Sequence, residues 1–268
     1  MHILKAFCLA FTTYSRIPMI RVYPNKENMR YLLCYFPLVG AAIGGFLMLW
    51  FHICIILGID HACFSAVAAV LPVLITGGIH ADGYLATNDA LASYGSKQKM
   101  LQILADPHVG AFSIITAIVY FILYFGFLNQ ISIYGEIGMI GLGFIMSRAL
   151  CALEIALMKP AKNSGMIFEL KSATNKGVTI FISVFIILAC GLTMILLSAY
   201  IGGLVLLCQA VLVWYYKFFV AKKIGGITGD TCGHFILMSE LLTIIAIVIG
   251  VKLVPFLPVI PPVLKLIF

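Results

Sequence analysis

Asp82, Asp89 and Asp106, together with His80 and His108, crowd into one stretch, Thr76 to Ser113, of a chain with only ten Asp plus Glu and six His in 268 residues. Loops built for solubility favour Lys and Glu, whereas here the acids and histidines are flanked by glycine. Carboxylates are the usual protein ligands of magnesium that also touches substrate phosphate, so these residue types point to a site for metal and phosphate. On a helix, positions 82, 86 and 89 share one face. That puts Asp82 and Asp89 on the same side, about 10 Å apart along the axis at 1.5 Å per residue, where a carboxylate pair could hold metal around a diphosphate. Asp106 completes the cluster if the chain doubles back through Gly95. Gly77, Gly78 and Gly83 leave room for close backbone approach to a phosphate. Asp at such spacings also serves as cap and turn residue, and that reading stands beside the metal one.

A second polar island, Lys222 to Glu240, repeats the theme with Gly225, Gly226, Gly229, Asp230, Gly233, His234 and Glu240. Alone it reads as a Gly-rich turn; beside the first motif it reads as the other half of one site. Arg148 stands inside an apolar run, where a charge is costly unless paired or functional. It is expected to pair with Glu154 or a site carboxylate, or to contact phosphate.

The elements that must position these residues are set by composition. The chain is 63% hydrophobic and 10% charged, against roughly 45–50% apolar and about 25% charged residues in soluble domains. This predicts an all-α, polytopic integral membrane bundle of about seven transmembrane helices with cytoplasmic polar motifs, forming a single transmembrane catalytic domain over 1–268. Eight cysteines without a C-x-x-C pair read as small buried residues, not as a zinc site or disulfide framework. Spans are expected at about 33–57, 111–128, 137–158, 178–200 and 202–219, the last two around a hairpin at Gly202 and Gly203. The run from Cys63 to Ile75 is short for a crossing and is expected to continue through Gly77 and Gly78 into the central motif. A last span at 241–257 leads into a tail with Pro255, Pro258, Pro261 and Pro262. The N-terminal basic segment shows no signal-peptide cleavage site, and its apolar part is expected to lie along the membrane surface.

With seven crossings and a cytoplasmic N-terminus, the inner segments hold Lys5, Arg16, Arg21, Lys26 and Arg30, then Lys97 and Lys99, then Lys159, Lys162, Lys171 and Lys176, then Lys217, Lys222 and Lys223. That is fourteen of the seventeen basic residues, as the positive-inside rule requires. Both polar islands then face the cytoplasm. The net charge of +7 suits loops beside anionic lipid and phosphate-bearing substrates, and no basic run interleaved with aromatics points to nucleic acid.

The strings T-G-G-I-H-A-D-G at 76–83, Asp89-Ala90-Leu91, L-x-I-L-x-D-P-H-x-G-A-F at 101–112 and G-G-I-T-G-D-T-x-G at 225–233 with Glu240 resemble cobalamin synthase. Arg16-Ile17-Pro18 and P-L-V-G-x-x-I-G at 37–44 agree, so the likeness runs nearly the whole chain. That family is adenosylcobinamide-GDP ribazoletransferase. The resemblance implies a magnesium-dependent enzyme of the bacterial or archaeal inner membrane. Its substrates would be adenosylcobinamide-GDP and alpha-ribazole or its 5'-phosphate, the ribose hydroxyl attacking phosphorus and expelling GMP. It implies Asp82, Asp89 and Asp106 as Mg2+ ligands and catalytic residues with His80 and His108. Either histidine or a free carboxylate would take the hydroxyl proton. Arg16, Gly77, Gly78, Gly83, Arg148, Gly226, Gly229, Asp230 and Glu240 are the expected substrate-binding residues, and assembly as a homo-oligomer is left open. The chain departs from the family at Ala86, usually Asp, and at Gln102 and Ala105, usually Glu and Lys. Two alternatives are a CDP-alcohol-type phosphotransferase, contradicted by Thr87 in the position of that signature's Arg, and a small transporter with broken helices, for which no internal repeat is visible.

Overall fold

The computed structural model describes residues 2–256; Pro258, Pro261 and Pro262 of the tail lie outside them. The described chain is helical, with a single isolated bridge, Pro160 to Ile227, in place of any sheet. Its helices are α1 (His2–Tyr14), α2 (Lys26–Met29), α3 (Leu32–Leu57), α4 (His61–Thr76), α5 (Ile79–Ala92), α6 (Lys97–Ile103), α7 (Ala111–Leu128), α8 (Tyr134–Leu157), α9 (Met166–Ala173), α10 (Lys176–Leu197), α11 (Ala199–Tyr215), α12 (Ala221–Ile224) and α13 (Gly229–Leu253). A π-helical turn over Tyr216–Val220 joins α11 to α12.

Six helical stretches are long and apolar enough to cross a bilayer, and the bent pair α4–α5 makes a seventh if counted as one span. The bend is 97°. Two consecutive residues at positive φ, Gly77 (69°) and Gly78 (82°), produce it, a conformation that glycine alone adopts without a Cβ penalty. The run from Cys63 does continue through Gly77 and Gly78 into the motif, but as a broken span in which α5 turns sharply away from α4.

The central helix is α8, 72% buried over its most apolar window, against 22% for α7 and for α10, which show exposed Ile118, Ile122, Phe181 and Leu188 as a lipid face. α8 meets α3 through small residues, as membrane helices without a strong hydrophobic driving force must. A Cβ on Gly44 would lie 2.9 Å from the Gly141 Cα. α13 is the second most buried crossing helix, at 61%. It begins at Gly229 on a Thr228 N-cap whose hydroxyl accepts the Thr231 amide (3.2 Å), so the second polar island opens the last span instead of preceding it. The α10–α11 turn is made at Ser198, not at Gly202 and Gly203; Gly202 sits inside α11, where a Cβ would come within 2.6 Å of the Met194 and Ile195 backbone. α1 buries Ala6, Leu9, Ala10 and Phe11 and packs on α3, so it is part of the bundle.

Arg148 and Glu240 are 0% and 2% exposed and pair directly, tying α8 to α13. The guanidinium also donates to the Ser147 hydroxyl (2.9 Å) and the Phe144 carbonyl (3.2 Å). Of the expected partners, Glu240 is selected, and Glu154 keeps one oxygen without a hydrogen bond. Removing one member of a buried pair strands the other charge, at a cost of about 3–5 kcal/mol, while an apolar pair of similar volume is tolerated. Glu240→Leu is expected to lower the melting temperature of the detergent-solubilised protein, and adding Arg148→Met should restore most of it. A single variant that melts like wild type would mean that the pair does not hold α8 to α13.

Candidate active site

The site begins with a backbone contact between α5 and α13. A Cβ on Gly83 would sit 2.7 Å from the Asp230 carbonyl oxygen, and one on Gly233 would sit 2.8 Å from the His80 carbonyl oxygen. Gly83 therefore makes room for the close approach of α13. The contact places Asp82 and Asp230, one residue before Gly83 and one after Gly229, close enough for their charges to interact. Both carboxylates line two cavities.

The first cavity, about 310 Å³, has an apolar wall from Tyr14, Phe36, Ile155, Ile167 and Ile236, and polar positions at His80, Asp82, Lys162, Gly229 and Asp230. The second, about 240 Å³, is lined by Asp82, Ala86, Asp89, Asp106, His108 and Asp230. Ala86, on the carboxylate face between Asp82 and Asp89, therefore opens onto this cavity.

The three aspartates of the first motif have separate duties. Asp82 is exposed, with no hydrogen-bond partner among the described residues. Asp89 accepts from the Gly110 amide (2.7 Å) and the Ser113 amide (3.0 Å), and the Ser113 hydroxyl also reaches it. It is an N-cap for α7 supplied from α5. Asp106 accepts from the His108 amide (2.9 Å) and from its Nδ1 (2.7 Å). A carboxylate only accepts, so Nδ1 carries the proton and Nε2 of the neutral ring is the free acceptor. The His108 amide, and then its ring, hold the Asp106 carboxyl below its usual range. The carboxylate form persists as pH falls until that depressed value is crossed, and the contact is lost below it.

Among the described residues no three His, Cys, Asp or Glu side chains converge as a metal cluster. The expected Asp82, Asp89 and Asp106 triad is thus not assembled, because Asp89 is turned onto α7 and Asp106 onto His108. Magnesium typically takes only one or two carboxylates, keeping water and substrate phosphate as its other ligands. The Asp82 and Asp230 carboxylates, both on the wall of the second cavity, have the all-oxygen chemistry that suits it.

The other expected residues divide. His80 is buried, lines the first cavity with its ring 6.2 Å from Tyr14, and leaves Nε2 unpartnered. Gly229 has open space around it on the same cavity. Arg16 donates its amide to the Ile75 carbonyl (2.7 Å) and lays its side chain where a Gly77 Cβ would be, so Arg16, Gly77 and Gly78 shape the α4–α5 break. Gly226 packs on the Lys159 carbonyl. Arg148 and Glu240 bond each other, line neither of these two cavities, and are buried. His234 is core, bonded to Tyr216 and stacked on Tyr84 at 5.0 Å. Sequence reasoning passed over Ser113 and Lys162; Lys162 stood out only as one cation in a basic loop.

Fold and site together define a polytopic helical membrane protein with a carboxylate-walled pair of cavities at one end of its bundle. The family model described as cobalamin-5-phosphate synthase matches residues 6–248, and the chain belongs to that family of cobalamin-synthesis transferases. It is 38% identical over 248 residues to the adenosylcobinamide-GDP ribazoletransferase of Lachnoclostridium phytofermentans, covering 92% of this chain and 94% of that one. The enzymes of the same name from Clostridioides difficile (30% identical, 91% and 97% covered) and Clostridium botulinum strain Alaska E43 (29%, 90% and 95%) are also similar. No solved structure matches the chain significantly.

Asp89→Ala removes an α7 cap and is expected to cost about 1 kcal/mol. The Gly110 and Ser113 amides should exchange with deuterium faster in the variant. Unchanged exchange at both would contradict the capping role.

Proposed function

We propose that the chain transfers the adenosylcobinamide phosphate group of adenosylcobinamide-GDP to a ribose hydroxyl of alpha-ribazole or its 5'-phosphate, releasing GMP. The observation that carries this reading is that Asp82 and Asp230 both stand on the wall common to both cavities, in a chain of this family. Relatives named for the same transfer support it.

Phosphoryl transfer depends mainly on positioning and charge neutralisation. Asp82 and Asp230 would hold Mg2+, which supplies the positive charge that draws the diphosphate against the wall and stabilises the charge of the transition state. His108 takes the hydroxyl proton. Its Nε2 is the free acceptor, its side chain is 90% exposed, and Asp106 fixes its tautomer. Asp89 fixes the start of α7 and with it the floor of the second cavity. The new P–O bond forms to the ribose oxygen, and the P–O bond to GMP breaks. The distribution of basic residues supports a cytoplasmic-membrane protein with this site on the cytoplasmic side, and the apolar faces of α7 and α10 suit contact with lipid.

Magnesium-dependent GMP release by the detergent-solubilised protein, abolished by EDTA, is the test. Asp82→Asn and Asp230→Asn should each cut kcat at least about a hundredfold, the order lost with one electrostatic contact to the transition state. His108→Ala should cost about 10²–10⁴-fold in kcat. Undiminished release by the Asp82 and Asp230 variants would refute the carboxylate wall as the reaction centre.

A further inference from the structure

The two cavities present six acidic or imidazole groups to a substrate that carries a diphosphate, yet only one Lys or Arg lines either of them, Lys162. Its position is built in. The Ile227 amide donates to the Lys159 carbonyl (3.0 Å) and the Ala161 amide donates to the Ile227 carbonyl (2.9 Å), forming the one bridge of the described chain. Lys162 follows directly on one side of that bridge, and Thr228, Gly229 and Asp230 follow on the other. Gly226 makes the bridge possible. Its φ is 148°, and a Cβ there would lie 2.5 Å from the Lys159 carbonyl oxygen.

Three other cations of the neighbourhood are engaged. Arg148 is paired with Glu240, the Lys171 amine donates to the Ile155 and Ala156 carbonyls (3.1 and 3.3 Å), and Lys97 packs against Gly225. The Lys162 amine has one long contact, to the Leu101 carbonyl at 3.5 Å, and it makes no ion pair among the described residues, although its charge is felt at Asp230.

The cavities also have an order. An in-line displacement puts the attacking and leaving oxygens on opposite sides of phosphorus. His108 and its free Nε2 stand on the second cavity, Lys162 stands on the first, and Asp82 and Asp230 form the wall between them. Resting on the transfer reading above, we infer that Lys162 binds the guanylate phosphate in the first cavity, where it takes up the charge of the departing GMP, while the acceptor hydroxyl enters from the second. The P–O bond to guanylate breaks with its electron pair on the GMP phosphate, facing the Lys162 ammonium, and the hydroxyl proton goes to His108.

The test is calorimetric binding of GMP, and of guanosine, to the full chain in detergent, for wild type, Lys162→Ala, Lys162→Arg and His108→Ala. A charge-assisted bond to phosphate predicts about ten- to a hundredfold weaker GMP binding in Lys162→Ala. It also predicts near-wild-type binding in Lys162→Arg and in His108→Ala, and the same guanosine affinity throughout. Lys162 is exposed, so the melting temperature should not change. GMP inhibition of turnover should weaken in Lys162→Ala in parallel. Equal GMP affinity in wild type and Lys162→Ala, or no GMP binding by wild type, overturns the inference even if GMP is released in turnover. Lys162-dependent GMP binding without Mg2+-dependent GMP release would instead keep the phosphate site and remove the transfer reading.

Discussion

The backbone contact of α5 with α13 at Gly83 and Gly233 is the constraint on which the site depends. Without side chains at these two positions the helices approach until carbonyls and Cα atoms touch, and the carboxylates of Asp82 and Asp230 become neighbours. The sharp turn at Gly77 and Gly78 serves the same end, because it swings α5 away from the line of α4 and lays it along α13.

Charge inside a bilayer protein is expensive, and the molecule spends it in two ways. Deep in the bundle, Arg148 and Glu240 neutralise one another and add hydrogen bonds to Ser147 and Phe144, which fastens the two most buried crossing helices together. At the mouth, four aspartates are gathered with a single lysine. That imbalance suits a centre whose remaining positive charge arrives with the substrate complex, since a divalent cation and a diphosphate compensate each other against a carboxylate wall. The apolar side of the first cavity, with Tyr14, Phe36 and Ile236, bounds the same groups on one side with low-dielectric surface, which strengthens interactions made against it.

The two cavities give the reaction a direction. A histidine oriented by its own aspartate faces one, a lysine held by a two-bond bridge faces the other, and the acidic wall lies between. The loop from Lys159 to Gly165, a polar link in sequence terms, becomes part of the site only because Ile227 clamps it next to the start of α13.

Apolar runs of crossing length, basic residues on alternate loops, and Asp and His set among glycines are local properties, and they determined the helical membrane class, most span limits and the two motifs that form the site. The family resemblance rests on the same local strings. Tertiary structure decided which glycine meets which helix, that Asp89 caps α7, that Asp106 orients His108, that Arg148 chooses Glu240, and that Asp82 finds Asp230. These choices depend on contacts between residues far apart in the chain. Period and composition describe one helix at a time, and nothing in them specifies which face of α13 will lie against α5.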